Sequence, residues 1–193
     1  MRDLDIRRSL RTKLHAEHAQ DPDTLIVEEL GLLQGAARVD LAVVNGSISA
    51  FEIKSERDTL RRLDGQAEAY GKVFDAVTLV ASRTHLRNAR DCVPKWWGLA
   101  SAEPDARGVV TIVPRRRARL NRRTVPAEVA KLLWREEALA LLERRGLADG
   151  LRSKPRRVLW TALADQLTPE DLAGEVRATL KGRQGWRADP QRP

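Results

Sequence analysis

Two short runs, 38–44 (RVDLAVV) and 47–54 (SISAFEIK), flank the dipeptide Asn45-Gly46 and carry ionisable residues inside otherwise apolar, β-forming stretches. No other segment constrains the chain as strongly. Asn-Gly is what a two-residue type I′ turn prefers, so the two runs read as adjacent antiparallel strands of a hairpin. Side chains alternate along a strand, which puts Glu52 and Lys54 on one face and Phe51 and Ile53 on the other. A charged Glu-x-Lys pair ending an apolar strand is costly unless it is paired or serves a site. The hairpin also brings Asp40 alongside Glu52. Two carboxylates converging beside an ammonium form an oxygen-ligand site for Mg²⁺ (or Mn²⁺), with Lys54 placed to hold and polarise a water. Phosphodiester cleavage needs that set, because the metal neutralises phosphate oxygens and the lysine stabilises the charge that develops on the attacked phosphate. It needs no covalent nucleophile, and the chain offers no convincing one.

The flanking sequence predicts a mixed α/β sheet. Leu4, Ile6, Leu10 and Leu14 recur near helical spacing over 3–19, and Asp21-Pro22-Asp23 ends that helix. Residues 24–30 (TLIVEEL) read as a first strand. Asp58 reads as the N-cap of a helix over 59–74 with Leu60, Leu63, Ala67, Tyr70 and Phe74 on one stripe. A short apolar run at 76–81 reads as a buried parallel strand, followed by a helix near 84–91 and a strand at 109–113. The order helix, three strands, helix, strand puts a strand–helix–strand crossover beside a hairpin. Beyond it the chain turns helical, with helices over 126–145 closed by Gly146, near 155–166, and over 169–181 capped by Thr168. The organisation is therefore a core at 1–114, an arginine-rich connector at 115–124 and a helical C-terminal region at 125–193. The last residues, 188–193, read as frayed.

Charge separates these parts. The net charge of +8 divides into −1 over residues 1–113 and +9 over residues 114–193, with the excess concentrated in Arg115, Arg116, Arg117, Arg119, Arg122 and Arg123. Such a run suits a polyanion and is expected to hold a DNA backbone regardless of sequence. The 28 arginines against 7 lysines equally fit a coding bias. The single cysteine, Cys92, excludes an internal disulfide and a cysteine-rich zinc site. No apolar stretch approaches the roughly 20 residues of a membrane span, and the N-terminus lacks the apolar segment of a secretory signal. The expectation is a cytoplasmic protein that does not engage membranes, with a homodimer left open.

With these residues in place, the chain resembles the PD-(D/E)XK nuclease superfamily: an Asp, eleven intervening residues, then Glu-x-Lys across an Asn-Gly hairpin. RVDLAVVNGSISAFEIKS is similar to the core of archaeal Holliday-junction resolvases and related bacterial repair nucleases. The resemblance implies a restriction-endonuclease-like α/β fold (αβββαβ) and a metal-dependent DNA endonuclease working by direct water attack. Asp40 and Glu52 would be metal ligands and Lys54 the catalytic lysine. Glu29 matches an upstream acid, with Glu28 as the register alternative and Glu17 a weaker candidate. Gln66 and Tyr70 match the Gln-x-x-x-Tyr motif of RecB-like members, and Asp58 an acid that follows the lysine in some repair relatives. VPKWWG (93–98), LLWREE (132–137) and Gly185-Trp186 are similar to an uncharacterised bacterial family grouped with the same superfamily. One departure is Val39, where the signature has proline; no ligand is lost with it. The alternative is a nucleic-acid-binding or assembly module that keeps the fold without cleaving.

Other signals read as structural. His15 and His18 share a helix face without a third ligand. His85 stands beside a helix start, in a turn. Trp96 and Trp97, after a proline, read as packing rather than base stacking, and Trp134 and Trp160 as core. The helix pair at 155–181 reads as part of a bundle packed on the core rather than a helix-turn-helix.

Overall fold

The computed structural model describes residues 2–32, 35 and 37–183. Six strands form one sheet in chain order: β1 (Leu25–Leu32), β2 (Ala37–Val44), β3 (Ile48–Lys54), β4 (Ala76–Ser82), β5 (Gly98–Pro104) and β6 (Val110–Arg116). The first three make an antiparallel meander, β3, β4 and β5 run parallel, and β6 returns antiparallel. Helix α2 (Leu63–Gly71) connects β3 to β4, and α3 (Arg83–Ala89) connects β4 to β5. The mixed α/β class expected from sequence is the class observed.

Both faces of the sheet are covered. On one lies α1 (Asp3–Glu17), whose Ile6, Leu10 and Leu14 form a stripe buried against Leu41, Val43, Ile53, Val80 and Ile112. Asp3 and Asp5 in its first turn complement the helix dipole, and the Asp5 carboxylate accepts the Arg2 backbone N–H at 3.0 Å. On the other face Leu63, Tyr70 and Phe74 from the α2 segment share one core with α4 (Pro126–Ala130), α5 (Arg135–Arg144), α6 (Arg156–Gln166) and α7 (Pro169–Gly182). The C-terminal helices thus pack into the same apolar cluster as the sheet, as a bundle on the core. Trp160 belongs to this cluster, its Nε1–H donating to the Leu133 carbonyl at 3.0 Å. Trp97 is fully buried and stacks on Tyr70 with centroids 5.9 Å apart, so it packs, as expected. His85 donates its backbone N–H to Ser82 Oγ at the start of α3.

Four expectations are corrected. The hairpin pairs Val44 with Ile48, leaving three residues in the turn, and Asn45 Oδ1 accepts the Ser47 N–H at 3.2 Å. That local bond replaces the type I′ geometry. Helix α2 starts at Leu63 rather than near 59, because Asp58 Oδ2 accepts both the backbone N–H and the hydroxyl of Ser55 (2.7 and 2.6 Å) and closes a turn instead of capping a helix. The helix expected over 126–145 is two helices. Between them Leu132 and Leu133 turn into the core, and Glu137 accepts the Trp134 N–H at 2.7 Å to start α5 afresh. Strand β5 (GLASAEP) was not expected; its small residues carry little β signal but are buried at Gly98–Ala102. The expected features at Gly185-Trp186 and the frayed end fall outside the described residues.

Gly98 is the tightest of these small positions. A Cβ there would stand 2.7 Å from Thr78 Oγ1 and 2.9 Å from the Ala118 backbone nitrogen. Gly98→Ala is expected to destabilise by about 1–3 kcal/mol through overpacking. Gly46→Ala, where a Cβ would meet nothing within 4 Å, is expected to change stability by less than about 0.5 kcal/mol. Urea unfolding of the two variants measures the difference.

Candidate active site

Strands β2 and β3 pair as far as Leu41 and Phe51 and then part. At the opening, Asp40 Oδ2 accepts the Ile53 N–H at 2.7 Å, so a side chain takes the place of a ladder bond. The neighbouring strand is irregular at the same level. Val27 and Leu30 both lie in the helix-side core, although Glu28 between them pairs with Arg11 of α1 at 2.9 Å. The shift of face is made at Glu29, whose φ of 57° is left-handed. That conformation costs a non-glycine residue about 1–3 kcal/mol, strain of the sort that gathers at functional sites.

A cavity of about 910 Å³ opens here, with Asp40, Glu52, Lys54, Gln66, Glu28 and Glu29 all in its wall. The structure thus brings together the sequence-expected core set and both register candidates for the upstream acid. Glu17 is not among them; it pairs with Lys13 at 2.9 Å on the exposed side of α1. His15 and His18 are also elsewhere, and among the described residues no group of three His, Cys, Asp or Glu side chains stands close enough to hold an ion.

Glu52 and Lys54 are 2% and 4% exposed, so their charges are nearly removed from water. Lys54 Nζ donates to Glu52 Oε1 at 2.5 Å and to Gln66 Oε1 at 3.1 Å, while Gln66 Nε2 donates to Glu52 Oε1 at 2.6 Å. Tyr70 lies one helical turn beyond Gln66, and its hydroxyl has two acceptors in reach, Glu52 Oε2 at 2.6 Å and the Arg38 carbonyl at 2.9 Å. One hydroxyl proton cannot serve both. The shorter of the two contacts, to the Glu52 carboxylate, is the charge-assisted one. Burial raises the Glu52 pKa, the Lys54 charge opposes that rise, and the Asp40 charge adds to it; the net direction is upward. Burial, and then the Glu52 charge, pushes the Tyr70 phenol far above its ordinary value, so it remains a donor.

Asp40 is held from behind by Arg7, a residue the sequence reading did not single out. Arg7 donates to Asp40 Oδ1 at 2.6 Å and to the Asp40 carbonyl at 3.1 Å, and lies 3.5 Å from Glu29 and 3.4 Å from Asp3. Burial works against the Arg7 charge, but Asp40 and Asp3 outweigh it and raise its pKa. Arg38 pairs with Glu29 at 2.8 Å. The C-terminal region reaches the cavity too: Trp134 and Arg183 line it, the guanidinium 4.1 Å from the ring centroid and bonded to Glu137. Trp134 was expected in the core; it is only half-buried.

Two carboxylates of the set keep oxygens that could take a hard cation. Glu52 Oε1 is saturated by Lys54 and Gln66, but Oε2 and both Asp40 oxygens each take a single donor and keep acceptor capacity. Magnesium characteristically uses one or two carboxylates, completing its shell with water and substrate phosphate. Asp40 and Glu52 are the residues that would hold it.

The arginine run lies elsewhere. Lys54 is level with Ala81 and Ser101, whereas Arg116 pairs with Leu99 at the end of the sheet where β3, β4 and β5 begin. Arg115 is engaged by Ser101 and Glu103, and Arg116 by the carbonyls of Trp97 and Pro94. Neither is free to take a phosphate. Arg117, Arg119, Arg122 and Arg123 are exposed on a strap pinned through Arg119 N–H to the Trp96 carbonyl and Asn121 N–H to the Asp75 carbonyl. A seven-residue strand separates this strap from the cavity, roughly 20 Å.

The pKa direction at Glu52 gives a prediction about stability. The folded state holds the Glu52 proton more tightly than the unfolded chain, so this group's contribution is full below the ordinary glutamate value of 4.5 and is lost as pH rises through the raised pKa. Relative to Glu52→Gln, the wild type is therefore expected to lose stability as pH climbs above 4.5, measured by urea midpoints across pH.

Comparison with known proteins adds a family. The profile described as Bacteriophage P4 protein cII matches residues 3–189. Protein cII of Enterobacteria phage P4 is 45% identical over 60 residues, 31% of this chain and 23% of that protein. The chain thus aligns with about a quarter of the length of that curated relative. A solved protein of unknown function from Silicibacter pomeroyi superposes with a TM-score of 0.45 at 20% identity, covering 80% of this chain and 97% of that one. Among the described residues no helix is long and apolar enough to cross a membrane.

Proposed function

The chain belongs to the bacteriophage P4 cII protein family, and from the chemistry of its cavity we propose that it is a metal-dependent nuclease of PD-(D/E)XK type that cleaves DNA. One observation carries the reading. A glutamate and a lysine, nearly buried and bonded to each other, open into a cavity shared with a second carboxylate. A buried pair of this kind adds little or nothing to stability compared with apolar residues of similar size, so its retention fits a chemical role. The restriction-endonuclease-like fold is part of the proposal, supported by the meander, the crossover through α2 and the splay at Asp40. A DNA substrate puts the place of action in the cytoplasm.

Asp40 and Glu52 would hold a divalent ion, which would supply positive charge near the phosphate oxygens and acidify a water. The protein does the rest. Arg7 and the Ile53 N–H fix the Asp40 carboxylate, while Gln66 and Tyr70 fix that of Glu52. Lys54, held by Glu52 and Gln66, presents its remaining N–H to the attacking water or to the phosphate oxygen that gains charge. The cavity walls keep these groups in place before substrate arrives.

The test incubates the full chain with supercoiled, linear, single-stranded and branched DNA in Mg²⁺ or Mn²⁺. Cleavage of at least one form, abolished by EDTA, is the expected result. A second reading, a DNA-binding module that does not cleave, is favoured by Arg7, which already compensates Asp40 and Glu29 without a metal. Binding to DNA with no cleavage under any condition would favour it.

A further inference from the structure

The lip of the cavity carries two guanidinium groups that the fold does not use. Arg61 and Arg62 are exposed, and neither has a side-chain partner among the described residues. The other cations at the cavity are committed: Lys54 to Glu52, Arg38 to Glu29 and Arg183 to Glu137. Both free arginines stand immediately before the fully buried Leu63, which anchors the start of α2. The Arg62 carbonyl accepts the Gln66 N–H at 2.9 Å, and the Gln66 side chain touches both Glu52 and Lys54. The lip is thus one helical turn, about 5.4 Å along the axis, from the residue that holds the catalytic pair. Gly65 lies between them in the cavity wall, and a Cβ there would meet nothing within 4 Å.

From this placement, and resting on the nuclease reading, we infer that Arg61 and Arg62 receive the nucleic-acid phosphates that flank the reacting one. The binding surface that feeds the site is then this lip, and not the connector, whose exposed arginines stand at the far end of the sheet. Contacts of this kind are electrostatic, set the register of the strand and carry no sequence information. Arg61 and Arg62 are positioning residues, since they act on substrate remote from the bond that breaks.

The experiment measures binding of fluorescein-labelled single-stranded and duplex oligonucleotides by anisotropy in EDTA, from 50 to 200 mM salt. The full-length wild type is compared with Arg61→Ala/Arg62→Ala and with a connector variant carrying Arg117→Ala, Arg119→Ala, Arg122→Ala and Arg123→Ala. Both variants replace exposed side chains, and unchanged melting temperatures verify their folds. The lip variant is expected to bind at least about tenfold more weakly near 0.1 M salt, with a log–log salt slope shallower by about 2. In cleavage assays it should raise KM far more than it lowers kcat. An unchanged slope and affinity in the lip variant, or a loss confined to the connector variant, would overturn the assignment. The two readings fail separately. Lip-dependent binding without any cleavage removes the nuclease and leaves this surface, whereas cleavage indifferent to Arg61 and Arg62 removes the surface and leaves the nuclease.

Discussion

Lys54→Ala is expected to lower metal-dependent cleavage by about 10²–10⁴-fold, the range for removing a positioned group that stabilises charge or moves a proton in the transition state. The same change should destabilise the fold, because the Glu52 carboxylate, 3% exposed, loses the ammonium 2.5 Å away. Breaking a buried pair from one side costs about 3–5 kcal/mol. Here the cost should depend on pH. Glu52 keeps Gln66 and Tyr70 as partners, and burial shifts its pKa upward, toward the neutral form. Destabilisation measured by urea unfolding should therefore be smaller at pH 5 than at pH 8. Replacing both partners by apolar residues, Glu52→Leu with Lys54→Met, should recover most of the loss or exceed wild-type stability, while cleavage stays absent. That combination separates chemistry from architecture: a pair kept for the fold would not be improved upon by leucine and methionine. Wild-type cleavage rates in Lys54→Ala would remove Lys54, and with it the buried pair, from the chemistry.

What the sequence made legible follows from how local each signal is. Alternation and the Asn-Gly dipeptide were enough to place β2 and β3 side by side and to put Glu52 and Lys54 on one face, because register follows from the strands themselves. The Gln66–Tyr70 pairing was legible for the same reason, four residues on one helix being neighbours. The precise turn was not, since Asn45 bonding Ser47 competes with the dipeptide preference within three residues. Strand β5 was invisible because burial on both faces, rather than propensity, makes it a strand. Arg7 was missed because its importance is a tertiary fact. From sequence it is one of several arginines on an amphipathic helix, and only the packing of α1 on the sheet delivers it to Asp40, 33 positions away. The connector shows the reverse case. A dense run of arginines is the loudest electrostatic signal in the chain, yet strand β6 takes its first two residues and carries the rest to the end of the sheet away from the cavity.

Millimolar Mn²⁺ or Mg²⁺ is expected to raise the melting temperature of the wild type, and Asp40→Asn to abolish the rise. A ligand that binds only the folded state stabilises it by about 2.7 kcal/mol at a hundred times its dissociation constant, which for a chain of this size is a shift of about 5–10 °C. Asparagine isolates the charge. Its side-chain oxygen can still accept the Ile53 N–H, and Arg7 keeps Asp3 and Glu29, so the metal-free fold should survive with a small loss. What disappears is one of the two carboxylates proposed to hold the ion. The wild-type shift should also shrink as pH falls through the raised Glu52 pKa, because a proton on Oε2 competes with the ion for the one open position that Tyr70 leaves. Glu17→Gln serves as the comparison, since that acid lies away from the cavity and its loss should leave the shift intact. Differential scanning calorimetry with and without the ion reads all three. An equal shift in Asp40→Asn would place the ion elsewhere, and no shift in the wild type at any pH would return Asp40 and Glu52 to Arg7 and Lys54 as purely structural partners.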